Sequence, residues 1–179
     1  FSAVLTPRKN IFRLVSLSLF LTEFSSLIFF APIDAYRYRA DNHAGGRVYG
    51  AEFASTVNVS QTSLHAHYRY QHARTAYDDA APLPFRAAHL SRLTVERTFD
   101  DLSGSIGVRY VSQRTADIYG NRRIPGYMEL NAGLTYAIDK QWYASLTGEN
   151  LLNGLNHRDF PTLPRTGRSI FVFARYQPP

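Results

Sequence analysis

His65 and His67 stand two residues apart, so on an extended strand both imidazoles point the same way. Imidazole suits zinc and iron, and with His72 close by the three would line a path for a metal. The plainer reading, polar side chains facing water, is the favoured one, and no metal site is expected. The remaining histidines are His43, His89 and His157. Arg122 and Arg123 beside Tyr119, and Arg165 with Arg168, put positive charge into polar connecting stretches, where an anion would be drawn to them. Asp78, Asp79, His157 and Asp159 occupy similar stretches, as substrate contacts or simply as solvated loop residues. Nucleophilic chemistry finds little support. Ser103-Gly104-Ser105-Ile106-Gly107 lacks the G-x-S-x-G spacing of a nucleophile elbow, and HExxH, GxGxxG and Walker patterns are missing. No catalytic residue and no cofactor are expected.

Composition narrows the classes further. The 179 residues include 45% hydrophobic ones, too many for a disordered chain. The absence of cysteine excludes a disulfide framework, a zinc ribbon and thiol catalysis. Net charge is +6, carried almost wholly by arginine, with Lys9 and Lys140 the only lysines. Twelve Tyr and twelve Phe give an aromatic, Arg-rich, Lys-poor profile unlike the Lys/Glu coat of an ordinary soluble domain. The basic charge forms no clustered face or known module, so nucleic acid is not expected as a partner.

The elements that would position these residues are strands. In 63–71, Leu64, Ala66, Tyr68 and Tyr70 alternate with His65, His67, Arg69 and Gln71. Segments 102–111, 127–137, 141–150 and 168–177 alternate in the same way, with Arg109, Glu129 and Glu149 opposite the apolar rows. Segment 47–58 alternates weakly, and 87–98 would fit a strand or a helix. The apolar stretch 14–32 is favoured as a strand over a signal peptide, and a helix least of all. That gives about eight strands of about ten residues, the length that crosses a bilayer when tilted. Short connections at 58–61, near Phe99 and at 138–141 alternate with long ones at 31–46, 72–86, 112–126 and 153–167. Aromatic residues gather near strand ends, as a membrane-interface girdle would require. The expected fold is all-β: an antiparallel transmembrane β-barrel segment.

Several motifs, in order, strengthen this expectation. Val48-Tyr49-Gly50-Ala51-Glu52, Ile124-Pro125-Gly126-Tyr127 and Glu149-Asn150-Leu151-Leu152-Asn153 are followed by Arg158, Pro164, Gly167-Arg168 and a last strand ending Arg175-Tyr176. Over roughly residues 8–177 the chain resembles the C-terminal barrel portion of a TonB-dependent outer-membrane receptor. The resemblance implies a 22-stranded barrel closed by an N-terminal plug, importing a scarce nutrient, usually an iron–siderophore complex and sometimes haem, cobalamin, zinc or a sugar; a metal chelate, most often iron–siderophore, is the expected substrate. It implies outer-membrane lipid, the TonB complex and the barrel-assembly machinery as partners, the last reading the strand that carries Ile170, Val172, Ala174 and Tyr176. The position after that outward row is Pro178, where the family usually ends in an aromatic residue. The chain begins at Phe1, and residues 1–179 are expected to be barrel only, without plug or TonB-contacting segment. His65, His67, Arg69, Arg122 and Arg123 would lie along the substrate path. Two rival readings are a complete small eight-stranded barrel, structural or adhesive, whose first and last strands would pair, and a barrel-embedded hydrolase needing a Ser–His pair on adjacent strands.

Overall fold

The computed structural model describes residues 2–5, 12–34, 37–76, 81–117, 120–154, 158–160, 163–164 and 166–178. Its strands are β1 (Ser2–Leu5), β2 (Phe12–Pro32), β3 (Tyr38–Val59), β4 (Thr62–Thr75), β5 (His89–Phe99), β6 (Leu102–Val111), β7 (Arg114–Thr115), β8 (Arg123–Ile124), β9 (Tyr127–Ala137), β10 (Trp142–Glu149), β11 (Arg158–Phe160), β12 (Leu163–Pro164) and β13 (Ser169–Tyr176). Among the described residues no helix is long and apolar enough to cross a membrane.

One antiparallel meander dominates, in the order β1-β2-β3-β4-β5-β6-β9-β10-β13. It holds eight long strands and the four-residue β1. The pairs β7/β8 and β11/β12 form two small hairpins inside the long connections. Among the described residues β1 pairs only with β2 and β13 only with β10, so the sheet does not close on itself. This removes the complete eight-stranded barrel, which needs its first and last strands joined.

Period two assigns every long strand to the same two faces. One carries Leu17, Leu19 and Leu21 of β2, Leu93 and Val95 of β5, Ile106 and Val108 of β6, Leu134 of β9 and Leu146 of β10, in register through the ladder. The opposite face carries Glu52, Arg69, Thr94, Arg109, Glu129, Asn131 and Thr147. The apolar rows remain open: Leu19 is 57% exposed, Leu134 51% and Val172 79%. A soluble sandwich would cover them with a second layer. Buried apolar residues are few among those described, and their cluster of Ala87, Val111 and Tyr127 sits at the long-loop end of the polar face, not between layers.

The apolar face is banded. Phe99, Leu102, Tyr136, Trp142 and Tyr176 lie at the short-turn end, with Trp142 and Tyr176 ring centroids 5.1 Å apart. Tyr70 and Tyr110 lie toward the other end, each about 24 Å above its turn once a rise of about 3.4 Å per residue and a tilt of about 40° are applied. That separation matches the apolar band of about 25 Å that a membrane barrel presents to lipid.

Two expectations about elements need correction. The long connection placed at 31–46 is mostly strand. β2 and β3 continue to Pro32 and from Tyr38, with Ile33 and Asp34 donating backbone hydrogen bonds to Arg37 O at 2.8 and 3.4 Å. At 21 and 22 residues, these two strands are also about twice the expected length. Glu23, the acid that interrupts the apolar run, sits beside Arg47 at 2.7 Å on the apolar-row face. Arg47 stands about 30 Å or more above the turn at Ser60, beyond the apolar band.

Candidate functional site

The polar face is a continuous surface built row by row. In one row Ser18, Glu52 and Arg69 are cross-strand neighbours. Arg69 Nη1 lies 3.1 Å from Glu52 Oε1, and its guanidinium stacks 4.6 Å from the Phe20 ring centroid. Both members of the pair are about one-third exposed, so the attraction stiffens the wall more than it stabilises the fold. The next row toward the short turns runs Ala54, His67, Arg92, Arg109 and Glu129. Arg92 and Arg109 stand directly opposite each other, an arrangement that costs energy unless an anion sits near both. Arg109 lies over the Tyr127 ring at 5.7 Å, and Glu129 accepts from Asn131 Nδ2 at 3.1 Å. Between these charges and the short turns is a trough of about 520 Å³, lined by Thr94, Glu96, Ser105, Asn131, Gly133 and Thr147. Small and hydroxylic side chains keep that part of the wall thin and wet.

His65 and His67 share the polar face, as their spacing requires, and both are exposed. His65 Nδ1 is 3.2 Å from Thr56 Oγ1. His72 does not join them. It occupies the opposite face across from Tyr49, ring centroids 5.1 Å apart, and its Nε2 accepts from Arg74 Nε at 3.0 Å. Three-histidine lining is thereby corrected, for the reason that an odd and an even position on one strand point apart. Among the described residues no group of three or more His, Asp or Glu converges as metal ligands do.

Arg122 and Arg123 belong to another region. They lie on the β7/β8 hairpin, Arg122 N donating to Asp117 Oδ2 at 2.7 Å and Arg123 pairing with Thr115. The structure therefore divides the expected path between the polar face, with His65, His67 and Arg69, and the long-loop end. It adds Arg92, which the ambiguous 87–98 segment concealed. Tyr119, Asp78, Asp79, His157 and Arg165 lie outside the described residues, and for His43 and Asp159 only the backbone is described.

Local chemistry explains the motifs. Gly50 lies on the polar face against β4, where a Cβ would fall onto the Tyr70 carbonyl oxygen and within 2.9 Å of Gln71 Cα. Gly126 is as tightly confined, 2.8 Å from Val111 O and 2.9 Å from Gln113 N for a notional Cβ. Asn150 and Asn153 both have φ of 49°, in the left-handed region that asparagine tolerates. Their amides then tie the last long connection together: Asn150 Nδ2 donates to Thr166 O at 3.1 Å and Asn153 Oδ1 accepts from Arg168 N at 3.1 Å. The last strand presents Ile170, Val172, Ala174 and Tyr176 outward, with Phe171 and Phe173 stacked at 6.0 Å on the other face.

Comparison with known proteins agrees with this architecture. No curated protein sequence is matched. Among solved structures, the chain is similar to the ferric-catecholate import receptor Fiu of E. coli K12 in its closed form, at 21% identity and a TM-score of 0.68, covering 91% of this chain and 25% of that one. It is similar to the siderophore receptor PiuA of Acinetobacter baumannii at 18% identity and a TM-score of 0.72, covering 92% and 26%. The copper transporter OprC gives 13% identity and a TM-score of 0.76, covering 98% and 30%. The chain thus spans about a quarter to a third of these proteins' length, as a partial barrel does. Barrels of this family are outer-membrane proteins. With its antiparallel wall, banded apolar face and motif glycines in place, and with residues 6–151 matching the family model described as TonB dependent receptor-like, beta-barrel, the chain belongs to the TonB-dependent receptor β-barrel family.

Proposed function

We propose that residues 1–179 form the C-terminal barrel wall of a receptor that takes up a metal chelate, most specifically an iron–siderophore complex, across the outer membrane. The observation that carries this reading is the pair of Arg92 and Arg109, set directly opposite each other beside His67 on the polar face, with Glu129 at the end of their row and Glu96 in the trough that both arginines line. An anionic chelate entering past Arg122 and Arg123 would meet a favourable field from mouth to wall, with His65, His67 and Arg69 along its path. Two structural neighbours are a ferric-catecholate import receptor and a siderophore receptor, which supports iron over other cargo; OprC, a copper transporter, keeps the alternative concrete. The plug, and the contact with TonB that energises import, would be supplied from outside these residues. Ile170, Val172, Ala174 and Tyr176 would be the strand read by the barrel-assembly machinery.

The test is uptake of isotopically labelled ferric siderophores by cells carrying or lacking the gene, with and without a functional TonB complex. Loss of one ferric chelate's uptake on deletion, restored by the intact gene only when TonB works, is the expected result. Unchanged iron uptake with reduced copper uptake would overturn the iron assignment and leave the receptor reading standing.

A further inference from the structure

Gln71 is buried at the long-loop end of the polar face, two residues beyond Arg69 on β4. Its backbone N–H donates to Ala88 O at 2.9 Å, and its side-chain Nε2 donates to Ala87 O at 2.8 Å. One residue thus holds two consecutive carbonyls of the segment that leads into β5.

That segment, residues 81–88, is not an ordinary loop. Pro82 and Pro84 deny it two backbone donors, so it cannot extend β5 as a regular strand. It bridges two elements instead. On one side Thr75 N donates to Ala81 O and Leu83 N donates to Ala73 O, both at 3.1 Å. On the other, Phe85 N donates to Thr115 O at 2.8 Å. A turn at Pro84 and Phe85 separates the two sets, with Phe85 at φ 59°. A bulky residue persists in that left-handed region only where its surroundings fix it. Leu83 and Ala87 are both buried, and Ala87 is seated on Val111 and Tyr127.

Beyond Thr115 lies the β7/β8 hairpin. Thr115 pairs with Arg123, and Ala116 N donates to Arg122 O at 2.7 Å. The base of the same unit is fixed by Ser112, whose N donates to His89 O at 2.9 Å and whose Oγ accepts from His89 N at 3.0 Å. Covalent and hydrogen bonds therefore run without a break from Gln71 through Ala87 and Phe85 to Thr115 and the two arginines.

We propose that Gln71 is a positioning residue. By clamping residues 81–88 as a crossbeam between β4 and the β7/β8 hairpin, it joins two long connections into one body and sets where Arg122 and Arg123 stand. The functional half of this statement rests on the uptake reading above, in which an anionic chelate enters past those arginines. Gln71 acts through the crossbeam, its amide being engaged by Ala87 O.

The test uses the receptor purified from outer membranes in detergent, as wild type, Q71M, Q71N, R122Q/R123Q and the triple variant Q71M/R122Q/R123Q. Methionine keeps the length of glutamine without its donor; asparagine is a milder cut, an amide one methylene short. Heat-modifiable migration on gels selects assembled protein. Hydrogen exchange is read first and needs no ligand. In Q71M the amides of Leu83, Phe85 and Ala116 should exchange about tenfold faster, the effect expected for losing one buried hydrogen bond, with Q71N in between. Thr98, whose N–H donates to Gln61 O at the short-turn end, should not change. No acceleration, acceleration confined to Leu83, or equal acceleration of Thr98 would overturn the proposal, because the hairpin would then not depend on the clamp. Binding of a ferric tris-catecholate is read second. Q71M should weaken it about threefold alone and have no further effect in the R122Q/R123Q background. Equal weakening in both backgrounds would overturn the positioning role, since Gln71 would then act without the two arginines. Absence of chelate binding by the wild type would strike the uptake reading alone, and the exchange rates would still decide whether Gln71 holds the hairpin.

Discussion

At the scale of single residues, the motifs are positions where the backbone leaves no choice. Gly50 cannot carry a side chain because β4 lies against it, so Gly50→Ala should force β3 and β4 apart at a cost of about 1–3 kcal/mol. The expected result is a marked drop in heat-resistant, assembled receptor in the outer membrane, with Ala51→Gly as a tolerated control. Normal assembly of Gly50→Ala would show that the wall yields there. Asn150 combines a left-handed backbone with two side-chain hydrogen bonds, the second from Gly154 N at 3.4 Å. Asn150→Ala loses both and adds strain of about 1 kcal/mol, whereas Asn150→Gly loses the bonds alone. Protease accessibility of the 151–168 connection should rise in the order wild type, Gly, Ala, and any other order would count against this account. Such residues were visible in the sequence as motifs, but their reasons were not, since a close approach between strands is a tertiary fact. His72 is the converse case. Its even position already set it apart from His65 and His67, and only attention to nearness in sequence over parity grouped the three.

At the scale of strands, alternation proved a sufficient guide wherever one face was uniformly apolar. β4, β6, β9 and β10 follow their sequence pattern closely. β5 was ambiguous because Arg92, Thr94 and Glu96 on one face confront Ser91, Leu93 and Arg97 on the other, a mixed contrast that a helix would also satisfy. β3 hid its first half because Asn42, Gly45 and Gly46 resemble a loop, and only pairing with β2 makes them strand. Sequence pattern alone does not report a partner strand. The face assignment itself can be checked with two neighbouring residues. Leu134 lies about 10 Å above its turn on the apolar face, so Leu134→Arg should cost about 2–4 kcal/mol and block assembly. Thr135 points to the polar face, its Oγ1 3.0 Å from Ser145 Oγ, and Thr135→Arg should assemble normally. If the two variants assemble equally, the apolar rows do not face lipid.

For the molecule as a whole, the decisive feature is the open sheet. β13 gives one side of its backbone to β10, and among the described residues nothing pairs with the other side. In the hydrocarbon layer each unpaired N–H or C=O costs several kcal/mol, so an eight-residue edge carries a penalty of tens of kcal/mol unless a further strand covers it. Neither the arginine pair nor the apolar band can offset that. We therefore expect the 179-residue chain, expressed alone, to remain unassembled or to pair edge to edge with copies of itself, and to gain heat-resistant mobility only together with the remaining strands of a receptor. Hydrogen exchange resolves the two states. In a complete receptor the amides of Ile170 through Tyr176 should all be protected; in the isolated chain only those bonded to β10 should be, with alternate amides exchanging freely. Uniform protection of β13 in a monomeric, detergent-solubilised 179-residue chain would mean that this edge finds a partner within the chain itself, and that the wall closes without help.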